Sequence, residues 1–174
     1  MYAETNDTVF WAVKLNFLLG LRVGELVALK FEDYIDLSYL HIVREEVRNQ
    51  ITNSYEIVEH TKTNRDRFVV LIPKAIHILQ KIERQSEYFF VRNGERITSR
   101  QVAYVLEKYA ERQGLTIKST HKMRKTFASN LNAKGVPLDC IRELLGHSDM
   151  NTTLGYIYNP LTEKETYDLI TKAL

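Results

Sequence analysis

Apolar residues near the start of the chain recur at helical spacing. The predicted apolar face of this first helix has residues at i, i+3, i+7 and i+8, namely Phe10, Val13, Phe17 and Leu18. Asn6 or Asp7 can cap its N-terminus, because a short polar side chain there accepts a hydrogen bond from a free backbone N–H. Gly20 is typical of the position just past a helix end, and a second short helix is predicted over 22–29.

Three segments rich in β-branched and aromatic residues predict strands. They cover 39–43, 55–59 and 67–72, and we expect them to pair as one small sheet. Pro73 ends the third strand, because it has no backbone N–H to give to a ladder, and it suits the first turn of a following helix.

The rest of the chain has the spacing and punctuation of helices. Five more are predicted, over 73–84, 98–113, 121–134, 137–145 and 162–173. The predicted fold class is therefore α+β, a mainly helical domain with one small three-stranded antiparallel sheet.

Composition is that of an ordinary globular protein. The 174 residues are 44% hydrophobic and 26% charged, which suits one domain with a packed core. No apolar run approaches the roughly 18 residues of a membrane span, and residues 1–7 lack the features of a signal peptide. The single cysteine, Cys140, excludes an internal disulfide and fits a reducing cytoplasm.

Positive charge is concentrated in the middle of the chain. Residues 41–130 carry 17 lysines and arginines against 10 acidic residues, although the net charge of the whole chain is only +2. A basic middle between acidic ends can bind nucleic acid. A solvated, salt-bridged surface explains the same excess equally well.

Two patterns in the first half could hold a phosphate. Arg22 stands where one helix ends and the next begins, so its guanidinium can hold two phosphate oxygens, and Glu25 one turn later can orient it. The alternative for this couple is a surface ion pair. Lys62 lies between the second and third predicted strands, where a flexible ammonium can donate a proton, unless it is simply a solvated turn lysine.

Three patterns in the second half could complete such a site. His121 and Arg124, at i and i+3, share one face at the start of a helix, where anions bind readily. His147 follows a helix-ending glycine, and Tyr156 lies on a short segment from which it could attack as a nucleophile. Taken alone, each has an ordinary alternative: a solvated first turn, a buried structural histidine, a packed tyrosine.

Taken in order, these patterns resemble the active-site series of the tyrosine recombinase family, above all integrases of phages and conjugative elements in Gram-positive bacteria. The resemblance covers residues 8–172. Its most specific part is Leu-Leu-Gly-His-Ser-Asp followed by Thr-Thr-Leu-x-Tyr over 144–156, and the next is Gly-Leu-Arg-x-Gly-Glu over 20–25.

The resemblance assigns a role to each of these residues. The implied catalytic set is Arg22, Lys62, His121, Arg124, His147 and Tyr156, with Glu25 in support. Tyr156 would be the nucleophile, and His147 takes a position that holds His or Trp in relatives. Two positions depart from the family pattern: Lys125 and Tyr158 stand where relatives usually or often have His. Neither belongs to the core catalytic set, although Tyr158 adds a second hydroxyl close to the first in sequence.

The activity implied is that of a site-specific DNA recombinase, or integrase, that cleaves and rejoins strands through a 3′-phosphotyrosyl intermediate. It needs neither ATP nor a cofactor, since a tyrosyl ester is similar in energy to the phosphodiester it replaces. It needs no metal if side-chain cations neutralise the transition state, and the lone Cys140 and dispersed carboxylates do not suggest a metal site. The alternatives are a type IB topoisomerase, which shares this chemistry, and a non-catalytic DNA-binding module with the same fold.

The resemblance also implies partners. We expect double-stranded DNA with attachment or recombination sites as substrate, and residues 1–174 as a catalytic domain whose N-terminal DNA-binding domain is absent from this chain. Relatives act as tetramers, so the amphipathic helix at 162–173 is expected either to dock on a neighbouring protomer or to pack on its own core. The expected location is the cytoplasm of a bacterium, at the nucleoid when DNA is bound, with no membrane partner.

Overall fold

Helices are the main regular structure of the chain. The computed structural model describes residues 7–61, 66–116, 119–158 and 161–173. The helices of these segments are α1 (Thr8–Leu19), α2 (Val23–Val27), α3 (Pro73–Gln80), α4 (Ser99–Arg112), α5 (Thr120–Ala133), α6 (Leu138–Leu145), α7 (Met150–Leu154) and α8 (Glu163–Ala173). The predicted α+β class is confirmed. Within the described segments, no helix has both the length and the apolar character that a membrane span requires.

The strands are short and antiparallel. They are β1 (Tyr34–Ile35), β2 (Tyr39–Ile42), β3 (Glu45–Arg48), β4 (Tyr55–Val58), β5 (Arg67–Val70), β6 (Val91–Arg92) and β7 (Glu95–Arg96). In the described segments, three strands form one sheet in the order β1-β2-β5. Strands β3 and β4 form a separate pair, as do β6 and β7.

The predicted membership of the three-stranded sheet was wrong in one strand. The segment predicted over 55–59 pairs with β3 rather than with β2 or β5, and the third strand is the two-residue β1. The sequence pattern did not predict β3, because its glutamates are polar yet buried. Glu46 pairs with Arg96 at 2.6 Å and accepts a hydrogen bond from the backbone N–H of Ser99. Strands β4 and β5, on either side of Lys62 in the sequence, thus lie in different sheets.

Helix α1 begins and ends as its sequence predicts. The Asp7 carboxylate accepts a hydrogen bond from the N–H of Val9, and Gly20 closes the helix with a φ of 62°. A β-carbon on Gly20 would lie only 2.3 Å from the Phe127 ring, so α5 packs directly against this glycine.

The predicted apolar face of α1, by contrast, was right only in part: Val13 and Leu18 are half-buried against the core. Phe17 of that face is 46% exposed, and a different set of residues is buried: Val9, Ala12, Leu15, Asn16 and Leu19. The helix is apolar on nearly every side, so spacing alone does not select the face that meets the core.

Two hydrophobic clusters position the rest of the molecule. The larger one is formed by α1, α2, the three-stranded sheet, α3 and α4. The smaller one is formed by α5 and α6 around Ala128, Ile141 and Leu145, with Tyr156 and Ile157 packed against it. The segment that contains Tyr156 is thus fastened to the second cluster and follows α7, a short helix that the sequence pattern did not predict.

Candidate active site

Arg22 lies in the junction between α1 and α2. Its Nη1 donates to Oε1 of Glu25 at 2.8 Å, and its backbone N–H donates to Oε2 of the same carboxylate at 2.9 Å. Glu25 therefore caps the first turn of α2 and fixes the arginine at the same time. The Arg22 side chain remains 21% exposed, so part of its guanidinium is open to a ligand.

The Glu25 carboxylate is fully buried and has a second partner. Arg67, the first residue of β5, donates from Nη1 and Nη2 to the two carboxylate oxygens at 2.8 and 2.7 Å. Burial by itself would raise the pKa of Glu25, but the hydrogen bonds and charge of Arg67, with the charges of Arg22 and Arg124, lower it to about 2. Glu25 is therefore an anion at any pH near neutrality.

Three consecutive carbonyls at the C-terminal end of α6 each accept a hydrogen bond from a different arginine. Arg67 Nε binds the carbonyl of Leu144 at 3.0 Å, Arg124 Nη2 binds that of Leu145, and Arg22 Nη2 binds that of Gly146 at 3.2 Å. Carbonyls at a helix end have no partner within the helix and carry the negative end of its dipole. The end of α6 therefore gathers three cations in one place.

Arg124 is the most enclosed of these cations. Only 2% of the residue is exposed, and its Nη1 donates to the carbonyl of Gly20 at 2.6 Å. Its Nε is buried and has no hydrogen-bond partner among the described residues. Burial lowers the pKa of Arg124 to about 10, which leaves the guanidinium charged at neutral pH.

His147 follows Gly146, which ends α6 in the left-handed conformation that favours glycine. The histidine is 5% exposed, and its Nδ1 lies 3.0 Å from the hydroxyl of Thr153 in α7. Its Nε2 is buried without a partner in the described part of the chain. Burial and the neighbouring Arg124 and Arg22 lower the pKa of His147 to about 4, so its ring is neutral at pH 7.

The Tyr156 ring lies between two imidazoles. Its centroid is 4.8 Å from that of His121 and 4.5 Å from that of His147, both in edge-to-face geometry. The guanidinium carbon of Arg124 lies 5.9 Å from the ring centre, and the Lys125 ammonium lies 5.3 Å from it. The tyrosine is therefore surrounded by cationic or potentially cationic groups.

The hydroxyl of Tyr156 has an imidazole within reach. It lies 3.3 Å from Nδ1 of His121, at the start of α5. Burial, followed by the charges of Lys125, Arg124 and Lys122, lowers the pKa of His121 below its usual 6.5. An imidazole with a lowered pKa is mostly neutral at pH 7 and can accept a proton.

Tyr158, the second tyrosine of this segment, points its hydroxyl to a different group. It donates to the Thr126 hydroxyl at 3.1 Å, and the residue is 46% exposed. Its backbone N–H donates to Ser129 Oγ, which in turn donates to the carbonyl of Tyr156. Both tyrosines are thus tied to α5, but only the Tyr156 hydroxyl lies beside His121.

Of the residues named from the sequence, six lie together here. They are Arg22, Glu25, His121, Arg124, His147 and Tyr156. Lys62 lies outside the described residues. Among the described residues, no group of three His, Cys, Asp or Glu side chains is placed to hold a metal ion.

Comparison with known proteins places this arrangement in a family. The sequence profile described as "Phage integrase family" matches residues 3–165. The chain belongs to this family. Its fold is therefore that of a phage integrase family domain.

Curated relatives in the phage integrase family include two tyrosine recombinases. The chain is 32% identical over 159 residues to tyrosine recombinase XerC of Thermodesulfovibrio yellowstonii, a match to 90% of this chain and 52% of that protein. It is 35% identical over 159 residues to tyrosine recombinase XerA of Thermococcus kodakarensis, a match to 86% of this chain and 50% of that protein. The chain thus spans about half the length of the relatives it matches.

Solved structures of the family share the fold. The Tn1549 transposon integrase in complex with circular intermediate DNA aligns with a TM-score of 0.78 at 18% identity, over 99% of this chain and 62% of that one. The XerA recombinase crystal structure aligns with a TM-score of 0.70 at 22% identity, over 97% and 58%.

Two polar residues of the site were missed from the sequence. Strand β5 alternates buried and exposed positions, so Arg67 lies on the same buried face as Val69. An arginine on the apolar face of a predicted strand was the available signal. Thr153 lies in the Thr-Thr-Leu-x-Tyr stretch of the family resemblance, but no role was predicted for it. It binds His147 because α7 folds back onto the end of α6.

Proposed function

We propose that this chain is the catalytic domain of a site-specific DNA recombinase, which cleaves and rejoins strands through a 3′-phosphotyrosyl bond to Tyr156, with neither ATP nor metal. One observation carries the proposal. Nε of Arg124 and Nε2 of His147 are both buried without partners among the described residues, and both residues flank the Tyr156 ring. Buried donors are rarely left unpaired, and the oxygens of a DNA phosphate would satisfy them.

The first step is attack by the Tyr156 oxygen on phosphorus. A phenol with a pKa of about 10 is mostly protonated at neutral pH, so it needs a base or a cationic environment. His121 accepts the proton across the 3.3 Å that separates its Nδ1 from the hydroxyl. The oxygen–phosphorus bond to tyrosine forms as the bond to the 5′-oxygen breaks, and the reverse reaction reseals the strand.

Negative charge grows on the non-bridging oxygens during this step. Arg22 and Arg124 offset it with their positive charge, and the neutral His147 stabilises it as a hydrogen-bond donor. All three side chains are held in place before the reaction begins. When the Thr153 hydroxyl donates to Nδ1 of His147, the single ring proton of His147 is on Nε2. From there it can donate a hydrogen bond to the phosphate. Each such donor contributes about 10²–10³ in rate.

Covalent capture tests the proposal. A pool of duplexes with randomised flanks and one nick lets the leaving strand dissociate after cleavage, so any phosphotyrosyl product is trapped. We expect an SDS-resistant adduct whose modified residue maps to Tyr156 by mass spectrometry. Binding without any adduct would indicate a DNA-binding module, and relaxation of supercoiled plasmid without site preference would indicate a topoisomerase.

We assign Lys62 the role of general acid, which donates a proton to the leaving 5′-oxygen. Lys62→Ala is expected to slow cleavage of a selected duplex by about 10²–10⁴-fold, because the alkoxide leaving group is no longer protonated. A 5′-bridging sulfur leaves without protonation, so adduct rates on that substrate should recover to within about tenfold of the unsubstituted chain. Equal slowing on both substrates, or the same defect in Lys74→Ala on the exposed first turn of α3, would remove this role.

The whole protein is assigned two further features. An N-terminal DNA-binding domain completes the grip on double-stranded DNA, in keeping with relatives about twice as long as the matched region. The protein acts in the bacterial cytoplasm, at the nucleoid when it is bound to DNA.

Helix α8 is assigned to contacts between protomers in a tetramer on DNA. None of its residues is buried, and its apolar side chains Tyr167, Leu169 and Ile170 are 69%, 47% and 54% exposed. Replacing Leu169 and Ile170 with serine is expected to weaken cooperative binding to a duplex with two half-sites by about tenfold, as loss of a central apolar anchor does. Sedimentation would measure this, with Lys172→Ser as control, and unchanged assembly of the double variant would contradict the assignment.

A further inference from the structure

Two arginines share the carboxylate of Glu25. Arg22 donates one side-chain hydrogen bond to it at 2.8 Å, whereas Arg67 donates two at 2.8 and 2.7 Å. The Glu25 side chain is fully buried and that of Arg67 is 8% exposed, so water screens their pairing little. Arg67 is thus the main partner of this anion, and Arg22 is its more open one.

The way in which the two arginines share Glu25 determines how much positive charge Arg22 can offer to a phosphate. Glu25 remains an anion inside the protein, and an anion without water needs a cation. If Arg67 were absent, Arg22 would be the only arginine bonded to it among the described residues. The Arg22 charge would then be compensated by Glu25 rather than by a phosphate.

Arg67 also fixes the place where the other arginines are anchored. Its Nε binds the carbonyl of Leu144 at 3.0 Å, next to the carbonyls that hold Arg124 and Arg22. A β-carbon on Gly146 would lie 3.0 Å from the Arg67 side chain, so the guanidinium packs directly against the helix end that precedes His147. Arg67 therefore binds the carboxylate that supports Arg22 and lies beside Gly146, whose carbonyl is the second support of Arg22.

From these contacts we propose that Arg67 is a positioning residue for strand cleavage, which neutralises Glu25 so that Arg22 keeps its charge for the scissile phosphate. The inference rests on the proposed recombinase function and deepens it. Arg67 does not touch DNA in this role. It acts through Glu25 and the end of α6.

A purely structural arginine would behave differently. The chain contains one for comparison: Arg96 pairs with the buried Glu46 at 2.6 Å and binds the carbonyl of Ile97 at 2.9 Å. That pair supports the start of α4, where Glu46 accepts a hydrogen bond from the N–H of Ser99. Within the described segments, no hydrogen bond joins it to the residues of the site. Arg67 and Arg96 therefore both bind a buried carboxylate and a backbone carbonyl but differ in what they support.

A substrate with a neutral scissile group separates the two roles. A methylphosphonate at the cleavage position replaces a charged oxygen with methyl, so cleavage no longer depends on the full charge of Arg22. We expect Arg67→Gln to slow adduct formation on the phosphodiester by about 10²-fold, the effect of losing one preorganised donor. On the methylphosphonate, the rate of adduct formation by the same variant should lie within about threefold of that of the unsubstituted chain, since the lost donor is not required there. Arg67→Lys, which keeps a charge beside Glu25, should recover part of the phosphodiester rate.

Controls make failure of the inference distinct from failure of the proposed function. Arg22→Ala should show the same selective rescue by methylphosphonate, and Arg96→Gln should show no change in the ratio of the two rates. Equal slowing by Arg67→Gln on both substrates, with rescue intact for Arg22→Ala, would overturn the inference alone. If Arg67→Gln does not fold, Arg67→Lys supports the inference when it slows cleavage of the phosphodiester alone or of neither substrate, and refutes it when it slows both equally. Absence of any adduct from the unsubstituted chain would overturn both.

Discussion

Tyr156→Phe is expected to abolish the covalent protein–DNA adduct while leaving the fold and DNA binding nearly unchanged. The substitution removes only the oxygen that lies 3.3 Å from Nδ1 of His121. The ring keeps its edge-to-face contacts with His121 and His147 and its packing on the α5–α6 cluster. The lost hydrogen bond is exposed, so unfolding free energy should fall by less than about 1 kcal/mol.

The measurement compares adduct formation, duplex affinity and thermal unfolding of the same samples. Tyr158→Phe is the matched control, because it removes a hydroxyl two residues away that donates to Thr126 rather than lying beside His121. That variant should form adduct at close to the rate of the unsubstituted chain. An adduct that forms with Tyr156→Phe but not with Tyr158→Phe would show that Tyr158, and not Tyr156, is the nucleophile.

Helices were easier to predict from this sequence than strand partners. The positions of α4, α5 and α6 followed from spacing and capping, since these signals are local. The sheet depended on which strands meet, and β3 carries buried glutamates that are stable only because Arg96 and the start of α4 satisfy Glu46. A strand whose polar residues find partners elsewhere in the fold has no local apolar signature.

The candidate site was predictable in its membership but not in its construction. Order and spacing of motifs, through a family resemblance, named Arg22, Arg124, His147 and Tyr156. What holds them is a long-range feature: the last carbonyls of α6 accept from side chains that come from three other parts of the chain. Such hydrogen bonds depend on tertiary packing, so Arg67 was not identified from the sequence.

The supports of Arg22 and Arg124 also explain how cations can be kept close together. Repulsion among Arg22, Arg67 and Arg124 is offset by the Glu25 anion and by the carbonyls at the ends of α1 and α6. Among the described residues, the cluster carries an excess of positive charge, and Nε of Arg124 and Nε2 of His147 have no hydrogen-bond partner. The DNA phosphate of the proposed function would pair with both.

Arg124→Lys tests whether charge alone suffices at the most enclosed of these positions. Arg124 reaches the carbonyls of Gly20 and Leu145 from its two terminal nitrogens and presents a third donor, Nε, without a partner in the described chain. A lysine places a single nitrogen at this point and cannot span the ends of α1 and α6. Cleavage should fall by about 10²–10³-fold, because a preorganised donor to the transition state is lost.

Stability should fall in the same variant, by about 1–3 kcal/mol, because at least one buried carbonyl loses its partner. For a chain of this size that is about 2–4 °C in Tm for each kcal/mol, which thermal unfolding resolves. Arg96→Lys is the matched control: it disturbs a half-buried arginine that also binds a carbonyl, and its other partner is a buried carboxylate, so Tm should fall while adduct formation persists. Arg124→Lys with a lowered Tm but an unchanged cleavage rate would show that the arginine only joins two helix ends and gives nothing to the phosphate.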